Sequence, residues 1–291
     1  MTIPVFRFAP SPNGRLHVGH AYSALLNADF AMRWDGRLLL RIEDIDLARC
    51  RPEFVAAITD DLSWLGLRWE QPVRRQSHHG DDYQAAFSVL RSQDLLYPCF
   101  CSRKALAADV ARGAAATGCR PPRDPDGAAR YPGTCSRLSA TEVSARLASG
   151  EPHAWRLRMK AALARVPIGL EFHAFDCDGA TTAHGVDPQA WGDAIVVRRD
   201  IPTSYHLSVV VDDALQGITH VVRGQDLEAA TDLHVVLQTV LGLPTPCYHH
   251  HALIRDGGGE KLAKSRMSET LMALRQQGVT AADIRRRLGF A

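Results

Sequence analysis

Long apolar runs are missing from this 291-residue sequence. No segment approaches the ~18–20 consecutive apolar residues that a helix needs to cross a bilayer. The N-terminus also lacks the pattern of basic residues followed by apolar ones that is typical of a signal peptide. These absences exclude a bundle of membrane-spanning helices, and we expect a cytoplasmic protein with no membrane partner.

Net charge and paired cysteines are also scarce. Lys and Arg number 34 against 32 Asp and Glu, for a formal charge of +2. This excludes a global basic field for nucleic acid, so any such contact must come from local patches. Seven cysteines, an odd number in a chain of this length, do not indicate a disulfide framework. No dinucleotide fingerprint or Walker loop occurs either.

What the sequence does contain is alternation between strand and helix patterns. With 46% apolar residues it can bury one large core or two moderate ones. Residues 1–96 read as half of an α/β domain with a parallel sheet, and 97–190 as an insertion rich in Gly, Pro, Ala and Cys. Residues 191–266 resume the sheet pattern, with strands expected over 194–198, 204–211 and 218–222, and 267–291 read as a helical segment.

The first of two informative motifs is His17-Val18-Gly19-His20, which follows a turn at residues 10–14 and opens a predicted helix. Its histidines lie three apart, so both project from one face of the first helical turn. Free backbone N–H groups and the helix dipole favour an anion there. Gly19 allows a nucleotide to approach the backbone. Two polar residues near a helix start are the alternative interpretation.

The second motif is Lys261-Leu262-Ala263-Lys264-Ser265, which follows a glycine run at residues 257–259. A flexible run allows Lys261 and Lys264 to move onto a polyphosphate, for which a compact ammonium charge is suited. An exposed basic loop is the alternative. Because the two motifs occur in this order on an α/β pattern, we interpret them together as a site that holds ATP by its adenine and its phosphates.

With these elements in place, the sequence resembles the glutamate-specific class I aminoacyl-tRNA synthetases over most of its length. Residues 7–20 are similar to that family's N-terminal signature, and residues 41–46 and 222–227 to two further segments. Valine replaces the usual isoleucine between the histidines, and Leu262-Ala263 replaces Met-Ser. The resemblance implies an ATP-dependent ligase with a Rossmann-like class I catalytic domain, a zinc-containing insertion and a short C-terminal helical segment.

Members of this family differ in chain length. Full glutamyl-tRNA synthetases carry a further helical domain that reads the anticodon, whereas only ~26 residues follow the lysine motif here. This shorter arrangement resembles the glutamyl-queuosine tRNA(Asp) synthetases, which activate glutamate with ATP and esterify it to queuosine at the wobble position of tRNA(Asp). The resemblance implies ATP, L-glutamate and queuosine-bearing tRNA(Asp) as partners, and we expect a monomer. The alternatives are a truncated glutamyl-tRNA synthetase that charges a tRNA 3′ end, a small-molecule nucleotidyltransferase and a non-catalytic tRNA-binding paralogue.

The resemblance also assigns roles at the phosphates. His17, His20 and Lys264 are expected to stabilise the pentavalent phosphate during adenylation, and Gly19 and Lys261 to contact ATP. Positioning and charge stabilisation supply most of the acceleration in such a step. We expect Mg²⁺ to accompany ATP, because it is a hard cation that bridges phosphate oxygens.

Glutamate recognition requires a cation for the side-chain carboxylate and an acceptor for the ammonium group. Arg7 and Arg223 are the candidate cations, because a guanidinium can hold a carboxylate by two parallel hydrogen bonds. An ion pair with Asp226 or a neighbouring residue is the alternative role for Arg223. Glu43 is the candidate partner of the ammonium. The other expected glutamate contacts are Ala9, Ser11 and Tyr205.

Cysteines of the insertion form a second constellation. Two thiolates at Cys99 and Cys101, with a third at Cys135, can converge on tetrahedral zinc. By ligand chemistry alone Cys119 is the obvious fourth ligand, since thiolate binds zinc better than phenol. The family pattern points instead to Tyr131. We expect one structural Zn²⁺ held by Cys99, Cys101, Tyr131 and Cys135, and reduced cysteines without a metal are the alternative.

Overall fold

The computed structural model describes residues 3–254 and 269–290. Its strands are β1 (Val5–Phe8), β2 (Arg37–Ile42), β3 (Glu70–Arg75), β4 (Leu96–Cys99), β5 (Ala154–Leu157), β6 (Glu171–Phe175), β7 (Thr181–Gly185), β8 (Ile195–Val197), β9 (His220–Gly224) and β10 (Cys247–His251). Its helices are α1 (Val18–Arg33), α2 (Pro52–Trp64), α3 (Gly80–Ser92), α4 (Arg103–Thr117), α5 (Ala140–Ala148), α6 (Met159–Leu163), α7 (Tyr205–Leu215), α8 (Ala230–Leu241), α9 (Leu271–Gln276) and α10 (Ala281–Arg287). None of these helices is long and apolar enough to cross a membrane.

The main sheet has seven strands in the order β3-β2-β1-β9-β10-β6-β7. All neighbours are parallel except β7, which is antiparallel to β6. From β1 the chain moves outward through β2 and β3, and from β9 it moves the other way to β10. The order therefore reverses between β1 and β9, and an open parallel sheet binds ligands at such a point, outside the carboxyl ends of its strands. The expected α/β fold with a parallel sheet is confirmed.

A second, antiparallel sheet of three strands has the order β4-β5-β8. It carries the cysteine-rich part of the chain at the end of β4. Sheet membership does not follow chain order, because β6 and β7 fall within residues 97–190 and yet extend the main sheet. Conversely, β8 falls within residues 191–266 and pairs with the small sheet.

Residues 204–211, for which we expected a strand, are helical in the structure. Ser204 caps the N-terminus of α7 by accepting a hydrogen bond from the Leu207 amide, and the residues from Leu207 to Asp213 are buried. An apolar run buried on all sides has no periodicity that separates helix from strand, which is why the sequence pattern misled. The strand expected over 194–198 is β8, but it is antiparallel rather than parallel.

The two C-terminal helices, α9 and α10, pack near the start of α1. Leu271 of α9 is fully buried in one apolar cluster with Leu16 and Val18. Its amide donates to the Leu16 carbonyl at 2.9 Å, and Thr270 forms a bridge with His17. The chain therefore returns, after residues 255–268, to the position where the histidine motif begins.

Candidate active site

A cavity of about 610 Å³ lies at the carboxyl ends of β1, β9 and β10, where the strand order reverses. Every residue expected at ATP or glutamate, apart from the two lysines, lines it. These residues are Arg7, Ala9, Ser11, His17, Gly19, His20, Glu43, Tyr205 and Arg223. Lys261 and Lys264 lie outside the described residues. The described chain before them reaches this region, since Leu253 and Ile254 line the cavity.

His17 and His20 cap the N-terminus of α1 reciprocally. The Nδ1 atom of His17 accepts from the Gly19 amide, and the Nδ1 atom of His20 accepts from the His17 amide, both at 3.1 Å. A ring nitrogen that accepts carries no proton, so each neutral imidazole has its proton on Nε2. A Cβ atom on Gly19 would lie 3.0 Å from the His17 ring. The glycine therefore preserves the cap, a role that the sequence did not indicate.

Arg7 is bound into a buried network of charges. Its Nε atom donates to Asp213 at 3.1 Å, and the same carboxylate accepts from Arg41 at 2.7 Å. Arg41 also donates to Glu43 at 3.1 Å. Burial raises the pKa of the Glu43 carboxyl, and the charges of Arg41 and Arg7 oppose this shift. The charge of Arg7 is thus shared with a protein carboxylate.

Arg223 lies on β9 beside this network and is 5% exposed. It donates from NH2 to the Thr231 hydroxyl at 2.8 Å, from NH1 to His234 Nδ1 at 3.2 Å and from Nε to His250 Nε2 at 3.4 Å. Among the described residues no carboxylate forms an ion pair with it, so the pairing with Asp226 that we considered is not seen. One N–H on each terminal nitrogen remains for a ligand.

Sequence reasoning missed the residues that hold these arginines. Asp213 is 206 residues from Arg7. Thr231 and His234 belong to α8, the helix after β9, and lie 8 and 11 residues beyond Arg223. Nothing in the local pattern around them marks a site. The one available signal was the polar character of Asp212 and Asp213 at the end of an otherwise apolar run, because buried carboxylates require partners.

The cysteine cluster lies at the end of β4, apart from the cavity. The Sγ atoms of Cys99, Cys101 and Cys135 lie within 4.8 Å of one another. The Tyr131 hydroxyl is 3.5 Å from Cys99 Sγ and 3.7 Å from Cys101 Sγ. With Zn–S bonds of about 2.3 Å, tetrahedral ligands lie roughly 3.5–4 Å apart, so these four side chains fit a zinc ion.

Cys119 is exposed and is not part of this cluster, so the chemical preference for it as a fourth ligand finds no geometric support. Arg199 contacts the backbone of the segment that carries two of these cysteines. This side chain donates to the carbonyls of Phe100 and Cys101 at 3.0 and 3.1 Å. Arg199 follows β8, so these two bonds connect the loop at Cys101 to the segment that leads to Tyr205.

The cavity and the fold are those of a known family. A model of the catalytic domain of class I tRNA synthetases (E and Q) matches residues 5–289. The chain belongs to this family. Class I synthetases are ATP-dependent ligases whose partners are ATP with Mg²⁺, an amino acid and a tRNA. The expected ligase class and catalytic-domain fold are therefore confirmed.

Relatives within the family differ in length. The chain is 46% identical over 290 residues to a glutamyl-Q tRNA(Asp) synthetase of Rhodobacter capsulatus, covering 98% of this chain and 100% of that protein. It is 39% identical to glutamate–tRNA ligase 2 of Nitrosococcus oceani, covering 94% of this chain and 56% of the ligase. A crystal structure of a glutamate tRNA ligase from Elizabethkingia meningosepticum, in complex with its amino acid, aligns with a TM-score of 0.73 at 27% identity over 91% of this chain and 53% of that one. The chain thus spans about half of each of these two ligases.

Proposed function

We propose that this synthetase activates L-glutamate with ATP and transfers the glutamyl group to queuosine at the wobble position of tRNA(Asp). The environment of Arg223 is the observation that supports glutamate as the amino acid. A buried guanidinium with only uncharged partners is costly unless an anion joins it. The side-chain carboxylate of glutamate supplies that anion and accepts the two N–H groups that remain.

The other residues around the cavity suit the rest of the amino acid. Glu43 receives the ammonium group, and a bound ammonium would return its raised pKa toward the ordinary range. Arg7, which is held by Asp213, offers its remaining N–H groups to the carboxylates of the amino acid. Ser11 and Tyr205 supply hydroxyl groups, and Ala9 forms part of the wall.

Adenylation then follows from position and charge. An oxygen of the glutamate α-carboxylate attacks the α-phosphorus of ATP, and the bond to pyrophosphate breaks. His17 and His20, each with its proton on Nε2, donate toward the phosphates at the N-terminus of α1. Gly19 preserves their cap, and Lys261 and Lys264 balance the charge of the leaving pyrophosphate. Mg²⁺ that arrives with ATP would offset part of the negative charge of the phosphates.

Transfer requires a hydroxyl of the acceptor to attack the glutamyl carbonyl, which releases AMP and leaves an ester. The choice of queuosine as acceptor rests on the relatives. The chain matches the complete length of the Rhodobacter protein named for this reaction, and about half of the conventional glutamate–tRNA ligase from Nitrosococcus. In this proposal Cys99, Cys101 and Cys135, together with Tyr131, would hold a structural Zn²⁺.

Two assays test the proposal. The first measures ATP–pyrophosphate exchange with each of several amino acids, and we expect exchange with glutamate but not with glutamine or aspartate. The second supplies ATP and radiolabelled glutamate with tRNA(Asp), with and without queuosine, and with tRNA(Glu). Label on queuosine-bearing tRNA(Asp) alone is the expected result. Label on tRNA(Glu) would instead indicate a truncated glutamyl-tRNA synthetase, and exchange without transfer would refute the acceptor.

A further inference from the structure

The partners of Arg223 differ in charge from those of the other buried arginines in the site. Arg7 and Arg41 both donate to the Asp213 carboxylate. Arg223 donates instead to one hydroxyl and to two imidazoles, those of His234 and His250. These three partners fix the position of the guanidinium without neutralising its charge.

Hydrogen-bond direction fixes the protonation of both imidazoles. A guanidinium only donates, so Nδ1 of His234 and Nε2 of His250 must accept and carry no proton. The proton of His234 is then on Nε2, which lies 3.1 Å from Nδ1 of His206. His206 therefore accepts, and its own proton is on Nε2. Burial, with the charge of Arg223, lowers the pKa of His206 to about 4 and of His250 to about 3.

A neutral partner has a consequence for specificity. Paired with a carboxylate, Arg223 would present a nearly neutral unit to the cavity, and an amide would bind almost as well as an acid. With neutral partners the full charge faces the ligand, so a carboxylate gains far more than the amide of the same shape. The neutral partners of Arg223 therefore favour binding of the acid over binding of its amide.

We infer that His234 and His250 are positioning residues that make the site specific for glutamate over glutamine, because they hold Arg223 as neutral acceptors. This inference rests on the proposed function, in which Arg223 binds the side-chain carboxylate of the substrate. Neither histidine is among the described residues that line the cavity. Their effect is exerted through the arginine.

Asparagine and aspartate provide an isosteric test, since both place an oxygen near the position of Nδ1 and only one is charged. We expect His234→Asn to leave the KM for glutamate in pyrophosphate exchange within about threefold. We expect His234→Asp to raise it at least about tenfold, with the KM for ATP unchanged. Glutamine, measured as a competitive inhibitor, should bind no more weakly to His234→Asp than to wild type.

Matched variants separate charge from damage to the fold. His220 lies three residues before Arg223 on β9, where side chains alternate between faces, and its ring stacks on Phe6. His220→Asn and His220→Asp should therefore have the same KM for glutamate as each other. His250→Gln and His250→Glu repeat the test at the second imidazole, because their longer side chains place an oxygen near the position of Nε2, the atom that accepts from Arg223. The inference therefore remains testable if His234→Asp does not fold.

Equal glutamate KM values in the amide and the carboxylate variant, at both His234 and His250, would overturn the inference. So would a parallel loss of glutamine and glutamate binding, because a purely structural role affects both ligands alike. Arg223→Lys distinguishes this failure from failure of the proposed function. If that variant keeps the wild-type KM for glutamate, the assignment of Arg223 itself is wrong. If its KM rises while the histidine pairs show no charge effect, only the inference fails.

Discussion

Arg223→Lys is the most informative single substitution in the cavity. Lysine retains the positive charge, but its ammonium cannot form two parallel hydrogen bonds to a carboxylate. The variant also loses the three hydrogen bonds to Thr231, His234 and His250 that hold the guanidinium in position. A hydrogen bond to a charged group contributes about 1.5–3 kcal/mol, and 1.4 kcal/mol corresponds to a factor of ten. Loss of one such bond predicts a rise in the KM for glutamate of about tenfold to a hundredfold.

The assay is ATP–pyrophosphate exchange, with glutamate varied at saturating ATP and then ATP varied at saturating glutamate. The KM for ATP should stay within about twofold of wild type, because the proposal assigns the phosphate contacts to His17 and His20 and not to Arg223. Arg37→Lys is the control, since Arg37 pairs with Glu70 at an exposed position at the start of β2. An equal rise in both KM values, or none in either, would refute the assignment of Arg223.

Three further outcomes follow from the structure. Cys99→Ser should lower the zinc content measured by atomic emission and the melting temperature, whereas Cys119→Ser should change neither. Lys264→Ala should slow pyrophosphate exchange by on the order of 10²-fold or more and leave the circular dichroism spectrum unchanged. Burial lowers the pKa of His206 to about 4 and of His250 to about 3 in the folded protein. In the unfolded chain both imidazoles have their ordinary pKa near 6.5, so below that pH the unfolded chain binds more protons than the folded protein does. The free energy of unfolding should therefore fall as the pH drops from about 6.5 to 4, and these histidines should contribute no slope above pH 7.

Much of the site was accessible from the sequence because its residues sit in contiguous segments. Arg7, Ser11 and His17 belong to one run that leaves β1, and a strand followed by a helix start places such residues at one sheet edge. The resemblance to the synthetase family then identified Glu43 and Arg223 as further candidates. Glu43 follows β2, and Arg223 lies on β9. All of these side chains line the same cavity.

The charge balance of the site was not accessible in this way. It depends on which side chain lies behind each arginine, and such contacts join residues that are distant in sequence, as Arg7 and Asp213 do. The reciprocal cap of α1 was also missed, because helix caps are expected from Ser, Thr, Asp or Asn rather than from histidine. Residues 204–211 were misassigned for another reason, since burial on all sides removes the periodicity by which a helix is recognised.

The acceptor on tRNA(Asp) is the central claim, and one measurement locates it directly. Queuosine-bearing tRNA(Asp) is prepared without its 3′-terminal adenosine and incubated with the protein, ATP and radiolabelled glutamate. Transfer to the wobble base does not require that adenosine, so glutamate incorporation should equal that of the intact tRNA. Loss of incorporation on removal of the terminal adenosine would contradict the account and would place the ester at the 3′ end.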